Sequence, residues 1–539
     1  MRSLVRPPRA ALALLILLLA ASVTGPPASM ARGSTATTVA GIDVDASTIP
    51  ELQALMDRHR LTSVQLTQFY LHRIKKLNPQ LNAVITVSPT ALADARAADR
   101  SRRQGDDRPL LGMPIIVKDN INTTGMATTA GSWALAGSTP GDAFIIERLK
   151  AAGAIILGKA NLSEWANFRS IPSSSGWSGV GGQTNMAYVL DRNPCGSSSG
   201  SGVVASADLA VAAVGTETDG SIVCPSGANS VVGIKPTVGL LSRSGIVPLS
   251  ADQDTAGPMT RNVTDAAVLL GAMTGVDAAD PETAAQAGNA FSDYTQFLDA
   301  DALDGARIGV WREGAYEYDQ IPVDEDVSAI MEDVIDALEA AGAEVVDPVD
   351  IAIGAAYGPE FEALLCEFKS DLPAYFETYT AAGYPRTLQD VIDFNEANPD
   401  LEGPWGSEIF ELAEATGGRD DACAAWRAEA DAIAEQALAD ALEGLDAIVS
   451  PTNGPAWVTD PVNGDLGGDF STFIGSSTPS AIAGTANITV PAGYVDGHLP
   501  VGVSFIGRAW DEPLLIGLSY AFEQATQVRV PPSFLASLD

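Results

Sequence analysis

Apolar residues recur at helical spacing in several segments of the chain. Thr62–Gln65 (TSVQ) has the form of a capping box, and Thr48–Pro50 places a capping threonine and a tolerated early proline at a second helix start. Each of these segments therefore predicts an amphipathic helix. The apolar positions that support the prediction are Leu66, Phe69, Tyr70 and Ile74 in the N-terminal part, and Val327, Ile330, Val334, Ile335 and Leu338 farther along.

Short, continuous apolar runs predict buried strands between these helices. A helix over Asp142–Ala152 lies between two such runs, and this alternation indicates a sheet covered by helices. We therefore predict a single large α/β/α domain with a central mixed sheet, over residues 42–532. The predicted strands are Pro114–Val117, Ala154–Leu157, Leu209–Val214, Arg307–Trp311, Ala343–Val346, Ala447–Pro451, Thr489–Pro491 and Val501–Ile506, and a closing helix is predicted over Glu512–Gln527.

The segment from about 351 to 443 has a helical pattern throughout and includes the aromatic-rich stretch Phe361–Tyr379. Two interpretations remain open for this helical insertion. It either covers a cleft or forms a packed layer remote from any site.

The charge balance excludes some classes of partner. The chain of 539 residues has 46% hydrophobic residues, a formal net charge of −37 and a pI near 4.2. This composition is typical of a folded protein with a solvated acidic surface, and it argues against nucleic acid or an anionic membrane as a partner.

Residues 1–31 have the pattern of a signal peptide. Arg2, Arg6 and Arg9 give a basic start, Ala10–Ala21 is an apolar core, and Ala28–Ala31 offers small residues for cleavage after Ala31. The apolar core is shorter than the ~20 residues that span a bilayer. We expect a soluble protein exported to the periplasm or the extracellular medium, with residues 32–41 as a linker and no stable membrane insertion.

The chain has four cysteines, too few for a disulfide scaffold of this size. We expect Cys195 and Cys224 to be buried and unpaired. Whether Cys366 and Cys423 form a disulfide stays open.

Two serine-bearing glycine loops lie in the stretch Asn193–Pro236 and are joined by an apolar segment, Val203–Val214. The second loop, Gly215–Ser221 (GTETDGS), follows a predicted strand. The successive backbone amides of Thr218, Asp219, Gly220 and Ser221 are candidates for an oxyanion hole.

These loops resemble the signature of the amidase signature family of serine hydrolases. The matching residues are Gly196–Ser198, Gly215–Thr216, Asp219–Ser221 and Gly233–Pro236. The resemblance implies the amidase signature fold, with Ser221 as the nucleophile and Ser197 as a second serine held by a cis peptide bond. It also implies that Lys118, at the end of the predicted strand Pro114–Val117, is the third catalytic residue.

The scarcity of histidine fits this assignment, since the chain has only His59, His72 and His498. A lysine can replace histidine as the base if it is buried and neutral, which requires its pKa to fall by several units. Ser197 would relay the proton between Ser221 and Lys118, and an acyl-enzyme would form on Ser221. We expect no metal and no cofactor.

Other features of the sequence narrow the range of expected substrates. Many family members have arginine where this chain has Val223, and an arginine there could bind a substrate carboxylate. Asn161–Arg169, Ser173–Trp177 and Asn193–Gly196 resemble the bacterial peptide amidases, which release ammonia from C-terminal peptide amides. The expected partner is thus a peptide amide or a small-molecule amide, with Ser174 and Trp177 as candidate substrate-binding residues. A broad-specificity amidase, aryl acylamidase or esterase of the same family is the alternative, and the oligomeric state stays open.

Three further interpretations come from other classes. Gly196–Gly200 also fits the Gly-x-Ser-x-Gly elbow of α/β-hydrolases, with Ser198 as nucleophile and His498 as base, but it leaves Lys118 and Ser221 unexplained. Cys195 could be a nucleophile, although no histidine lies near it in the sequence to hold a thiolate. The third interpretation is a non-catalytic exported binding protein.

Overall fold

A mixed sheet of eleven strands forms the centre of the molecule. The computed structural model describes residues 38–312, 324–467 and 476–538. The predicted signal peptide and most of the predicted linker lie outside these residues. The strands are β1 (Thr38–Val39), β2 (Ile42–Asp43), β3 (Val84–Val87), β4 (Pro114–Lys118), β5 (Ile155–Ala160), β6 (Trp177–Ser178), β7 (Gly182–Gln183), β8 (Ala212–Glu217), β9 (Val232–Lys235), β10 (Thr255–Thr260), β11 (Arg307–Val310), β12 (Glu344–Val346), β13 (Ala447–Pro451), β14 (Asn487–Val495) and β15 (Leu499–Ile506).

The order of strands across the central sheet is β12-β11-β13-β15-β14-β9-β10-β8-β4-β5-β3. Strand β4 runs parallel to its two neighbours, β5 and β8, whereas β8 pairs with β10 in antiparallel fashion. Every residue of β4, β5 and β8 is buried, so these strands read as continuous apolar runs with little alternation. The mixed sheet and the single α/β domain are as predicted.

Helices pack against this sheet: α5 contacts β8, α7 contacts β10, and α8 and α14 contact β14. The capping boxes at Thr48 and Thr62 are both formed. The helices are α1 (Ile49–Asp57), α2 (Ser63–Leu81), α3 (Ala91–Arg102), α4 (Phe144–Ala151), α5 (Ser199–Ser206), α6 (Val223–Ala228), α7 (Val263–Met273), α8 (Glu325–Ala340), α9 (Tyr357–Tyr379), α10 (Leu388–Ala397), α11 (Glu408–Glu414), α12 (Asp421–Ala441), α13 (Thr478–Ile482) and α14 (Glu512–Thr526).

One predicted strand is displaced by three residues along the sequence. Strand β8 covers Ala212–Glu217, whereas the sequence predicted Leu209–Val214. Leu209 and Val211 belong to the connection from α5, and the amide of Val211 donates to the carbonyl of Pro114 at the start of β4. Both the connection and the strand are completely buried, so apolarity alone does not mark where the strand begins. The correction moves Thr216 and Glu217 from a loop into the sheet.

The helical insertion consists of α9 to α12, and its aromatic residues pack on the segment that follows β5. The ring of Trp165 lies 6.4 Å from that of Phe376 and 6.0 Å from that of Phe410, both edge to face. Trp177 makes a similar contact with Trp405, at 6.3 Å. The insertion therefore contacts the Asn161–Trp177 region. That it covers the substrate cleft stays a prediction.

None of the helices in the described ranges combines the length and apolar character needed to cross a bilayer.

Candidate active site

Lys118 is the last residue of β4 and its side chain is completely buried. Its Nζ lies 2.8 Å from Ser197 Oγ, 2.9 Å from Thr216 Oγ1 and 3.2 Å from the carbonyl oxygen of Thr216. Thr216 stands on β8, next to β4 in the sheet. The parallel pairing of these strands thus brings the amine of Lys118 to the hydroxyl of Thr216.

Burial lowers the pKa of Lys118 to about 7, although the nearby Asp254 and Glu217 act in the opposite direction. A neutral amine has two N–H groups and one lone pair. The three contacts of Nζ accommodate this form when Thr216 supplies two acceptors and the Ser197 hydroxyl turns to donate to the lone pair while it accepts from Ser221. The surroundings of Lys118 therefore suit the neutral form, which is the form that can accept a proton.

Ser197 lies between Lys118 and Ser221. Its Oγ is 2.9 Å from Ser221 Oγ, and the Gly196–Ser197 peptide bond is cis, as the resemblance implied. Gly196 is needed because a Cβ there would lie 2.2 Å from Ser163 Oγ. Ser163 also donates its amide to the carbonyl of Ser197. Lys118, Ser197 and Ser221 thus form one continuous hydrogen-bonded chain.

Ser221 lies in the turn between β8 and α6. Glu217 Oε2 accepts hydrogen bonds from the amides of Ile222 (2.6 Å) and Val223 (3.0 Å), the first donors of the helix. Gly220 has a φ of 74°, a left-handed conformation that favours glycine. The side chain of Glu217, the last residue of β8, therefore fixes the turn that presents Ser221.

The amides predicted to form an oxyanion hole are available. Among the described residues, the N–H groups of Thr218, Asp219, Gly220 and Ser221 donate to no protein acceptor. Unused donors in consecutive residues beside a serine hydroxyl can stabilise a developing negative charge. Their role as an oxyanion hole stays a prediction.

The expectation that Cys195 and Cys224 are unpaired is wrong. They form a disulfide, with Cα atoms 6.1 Å apart, that ties the residue before Gly196 to α6. Because the chain brings the two serine loops together, it also brings together the cysteines beside them. In this state Cys195 has no thiolate to offer as a nucleophile. Cys366 and Cys423, which the sequence left open, are also disulfide-bonded.

Ser174 and Trp177 lie between β5 and α5 and are not members of the hydrogen-bonded chain of Lys118, Ser197 and Ser221. With Arg169 and Trp405 they line a small cavity, and the Arg169 guanidinium lies 6.0 Å from the centre of the Trp177 ring. Ser163 Oγ accepts the amide of Gly176, which links this loop to the segment that holds Ser197. Their role in binding substrate stays a prediction.

The hydroxyl of Ser198 is occupied by the backbone. It donates to the carbonyl of Thr216 (3.0 Å) and accepts from its amide (3.2 Å), and the side chain is fully buried. His498 lies in the turn between β14 and β15. The geometry therefore does not favour Ser198 and His498 as an esterase pair.

Sequence reasoning missed the residues that hold Lys118. Thr216 supplies two of its three contacts, and Asn120 Nδ2 donates to Thr216 Oγ1 at 2.9 Å. Both lie inside stretches already recognised, so their positions in the motifs were the available signal. Their role depends on strand pairing, which the motifs do not show.

A buried lysine joined through one serine to a second serine fits a serine hydrolase whose base is a lysine. Comparison with known proteins shows which family this is. The chain belongs to the amidase family, whose model matches residues 65–516.

Several relatives cover nearly the whole chain. The native peptide amidase from Stenotrophomonas maltophilia is 48% identical with a TM-score of 0.84, over 91% of this chain and 99% of that one. An amidase family protein from Bacillus anthracis is 36% identical with a TM-score of 0.81, over 91% of this chain and 92% of that one. A probable amidase from Arabidopsis thaliana is 40% identical over 92% of each chain. The protein is thus an amide-hydrolysing enzyme.

Proposed function

We propose that the protein hydrolyses carboxamides through an acyl-enzyme on Ser221, with Lys118 as the base and Ser197 as the proton relay. The observation that carries this proposal is the unbroken chain from Lys118 Nζ to Ser197 Oγ (2.8 Å) and on to Ser221 Oγ (2.9 Å). The lowered pKa of Lys118, about 7, supports it because the base must be neutral before it accepts a proton.

In the first half-reaction Ser221 Oγ attacks the carbonyl carbon of the amide. Its proton passes to Ser197 Oγ while Ser197 gives its own proton to Lys118 Nζ. The negative charge on the former carbonyl oxygen is stabilised by the candidate oxyanion-hole amides of Thr218, Asp219, Gly220 and Ser221. The C–N bond then breaks, and the proton returns along the same path to the leaving nitrogen, which departs as ammonia or an amine.

In the second half-reaction water attacks the ester on Ser221. The relay accepts a proton from the water, a second oxyanion forms, and Ser221 leaves with its proton restored. The products are a carboxylic acid and the regenerated enzyme, and no other reactant is consumed. The same three side chains thus serve both halves.

For the substrate we propose C-terminal peptide amides. Support comes from the 48% identity to a peptide amidase over 91% of the chain, and from the aromatic wall that Trp177 and Trp405 form beside the loop of Ser174. Val223 cannot pair with a substrate carboxylate, so free glutamine is a poor candidate. Broad amidase or esterase activity is the second candidate, because an acyl-enzyme on serine can form from either bond.

The test is hydrolysis of amidated peptides and free amino-acid amides, measured by ammonia release, and of anilides and esters, measured by release of the aniline and the alcohol, with wild type, Ser221→Ala and Ser197→Ala. We expect amidated peptides to have the highest kcat/KM and Ser221→Ala to lose turnover. We expect Ser197→Ala to lose orders of magnitude but less than Ser221→Ala, because water can partly replace the relay. Substantial turnover by folded Ser221→Ala would contradict the proposed nucleophile, and preference for anilides or esters would contradict the proposed substrate.

We also propose that the protein is exported and cleaved after Ala31. The signal-peptide pattern of residues 1–31 supports this, and so do the disulfides Cys195–Cys224 and Cys366–Cys423, since such bonds persist in oxidising compartments. The mass of the protein recovered from the secreting cell's exterior or periplasm should correspond to a chain that starts at Arg32. Recovery only from the cytoplasm, with residue 1 retained, would contradict the proposal.

A further inference from the structure

A buried glutamine holds the peptide group between Thr218 and Asp219 by its carbonyl oxygen. Gln253 Nε2 donates to the carbonyl oxygen of Thr218 at 3.1 Å, and Gln253 is completely buried. The hydroxyl of Thr218 donates to Asp254 Oδ1, so neighbouring residues hold both the side chain and the carbonyl of Thr218. The turn that leads to Ser221 is therefore fixed three residues before the serine.

The partners of Gln253 determine which way its amide faces. Its Oε1 accepts from Arg427 Nη1 at 2.8 Å, so its Nε2 must face Thr218 and also donates to Glu360 Oε1 at 2.7 Å. Arg427 is in turn fixed by two hydrogen bonds to Glu367, at 2.9 and 2.7 Å. Both N–H protons and one acceptor site of the Gln253 amide are thus in use. If the amide were flipped, its oxygen would face the oxygens of Thr218 and Glu360, and its NH2 group would face the Arg427 guanidinium.

A planar trans peptide places its C=O and N–H on opposite sides. Because Gln253 holds the carbonyl of Thr218, the N–H of Asp219 must point away from Gln253. That N–H donates to no acceptor among the described residues. A hydrogen bond to the carbonyl of an amide also polarises it, which makes the N–H of the same group a stronger donor.

We propose that Gln253 is a positioning residue that orients the Thr218–Asp219 peptide so that the Asp219 amide serves the oxyanion hole. The inference rests on the proposed function, because it needs an oxyanion to form at Ser221. Gln253 touches neither the substrate nor the reacting atoms and acts only through this peptide group.

The charge around Gln253 suits this role. Burial raises the pKa of Glu360 to about 8, and the nearby Asp219 carboxylate adds to the effect. Glu360 is therefore mostly protonated at neutral pH and places little negative charge behind the peptide. The Thr218 carbonyl thus receives its hydrogen bond from a neutral amide, and the Arg427 charge on the other side of that amide is paired with Glu367.

The test is Gln253→Met, which keeps the approximate size and removes both the donor and the acceptor. Loss of one oxyanion donor costs about 10²–10³ in kcat elsewhere, and a misoriented donor should cost part of that. We expect kcat to fall about 30- to 100-fold with KM changed less than about threefold, because the oxyanion exists only in the transition state. A peptide aldehyde, whose adduct with Ser221 carries an oxyanion, should lose affinity by a similar factor.

The matched control is Gln286→Met. Gln286 is also buried and donates through Nε2 to two backbone carbonyls, those of Gly239 and Gly275, outside the site. We expect its kcat to stay within about twofold of wild type, so that a loss seen only at Gln253 identifies positioning and not general loosening. If Gln253→Met does not fold, Gln253→Glu replaces it, since glutamate keeps the acceptor for Arg427 and, when ionised, cannot donate to Thr218.

A folded Gln253 variant with wild-type kcat and wild-type aldehyde affinity would overturn the inference. So would a loss shared equally by Gln286→Met. Neither result would affect the proposed function, which fails instead if Ser221→Ala keeps its activity. The two failures are therefore distinguishable.

Discussion

Among the residues that the structure describes, three lysines of the sheet are fully buried, and their partners separate the candidate base from the other two. Lys159 Nζ lies 3.2 Å from the Asp119 carboxylate, and Lys235 Nζ donates to the carbonyls of Ser480 and Thr485. Lys118 has no carboxylate within ion-pair distance among the described residues and faces hydroxyl groups instead. Burial lowers the pKa of Lys118 to about 7 and that of Lys235 to about 8, but of these two Lys118 is the one hydrogen-bonded to the serine hydroxyl that leads to Ser221, so it is placed to act as the base.

The first prediction concerns the pH dependence of activity. Because burial lowers the pKa of Lys118 to about 7 and the neutral form is active, kcat/KM should rise with pH through an apparent pKa near that value and then level off. The apparent pKa belongs to the coupled Lys118–Ser197–Ser221 unit. Initial rates between pH 5 and 10 on a neutral peptide amide would measure it, and Lys118→Met should remove most of the activity at every pH.

Salt and His498→Ala are the controls. Raising the ionic strength should shift the limb only slightly, because burial and not surface charge sets the pKa. A limb near 6.5 that vanished in His498→Ala would instead mean that a histidine is the base.

At the scale of elements, two helices of the helical insertion are cross-linked close to the turn that carries Ser221. Helix α9 carries Glu360 and Glu367, helix α12 carries Arg427, and the disulfide Cys366–Cys423 joins the two helices. Glu367 and Arg427 form a largely buried ion pair, with Arg427 Nη2 2.7 Å from Glu367 Oε2. The insertion thus braces the Thr218 turn through Gln253 and does not form a remote layer.

The second prediction is that Cys366→Ala/Cys423→Ala lowers the free energy of unfolding. The disulfide closes a loop with a sequence separation of 57 residues, for which the chain-entropy model gives about 4 kcal/mol. Denaturant unfolding of the double variant, compared with wild type, would measure the change. A loss below about 1 kcal/mol would show that the packing of α9 on α12 alone holds the pair.

The reduced wild-type protein is the matched control for that measurement. It should approach the double variant if Cys195–Cys224 contributes little, and fall below it if the second bond also stabilises the fold. Either result separates the two disulfides.

At the scale of the whole molecule, acid groups are abundant and several of them are buried. The formal net charge is −37. Burial raises the pKa of Asp254 and Asp265 to about 6 and that of Glu523 to about 7. These carboxyls bind protons more tightly in the folded than in the unfolded state, where their pKa values are about 4.

The third prediction follows from the sign of these shifts. A raised folded-state pKa stabilises the fold below the unfolded pKa, and this stability is lost as pH rises through the folded value. The Tm should therefore fall by at least about 2 °C between pH 5 and pH 7.5 at constant ionic strength. Added salt should raise the Tm at pH 7.5 by screening the repulsion among surface carboxylates. A Tm that rises from pH 5 to 7.5 would contradict the burial of these groups.

The sequence by itself determined the features that depend on neighbouring residues. The capping threonines Thr48 and Thr62 mark where α1 and α2 begin, because a cap needs only a side chain and amides within the same turn. The apolar run of β4 and the lysine that ends it, Lys118, could also be recognised in the sequence. The spacing of the serine loops indicated the family. Lys118, Ser197 and Ser221 could thus be named as candidates before any fold was known.

Only the tertiary structure decided what depends on residues distant along the chain. The start of β8 could not be read because complete burial removes the polar positions that mark a boundary. The Cys195–Cys224 bond depends on a Cα separation that the folding of two loops creates. Gln253 could not be recognised either, because its carbonyl partner lies 35 residues away and its arginine partner 174 residues away. Buried polar groups must find partners, but which partners they find is set by the packing of the whole sheet.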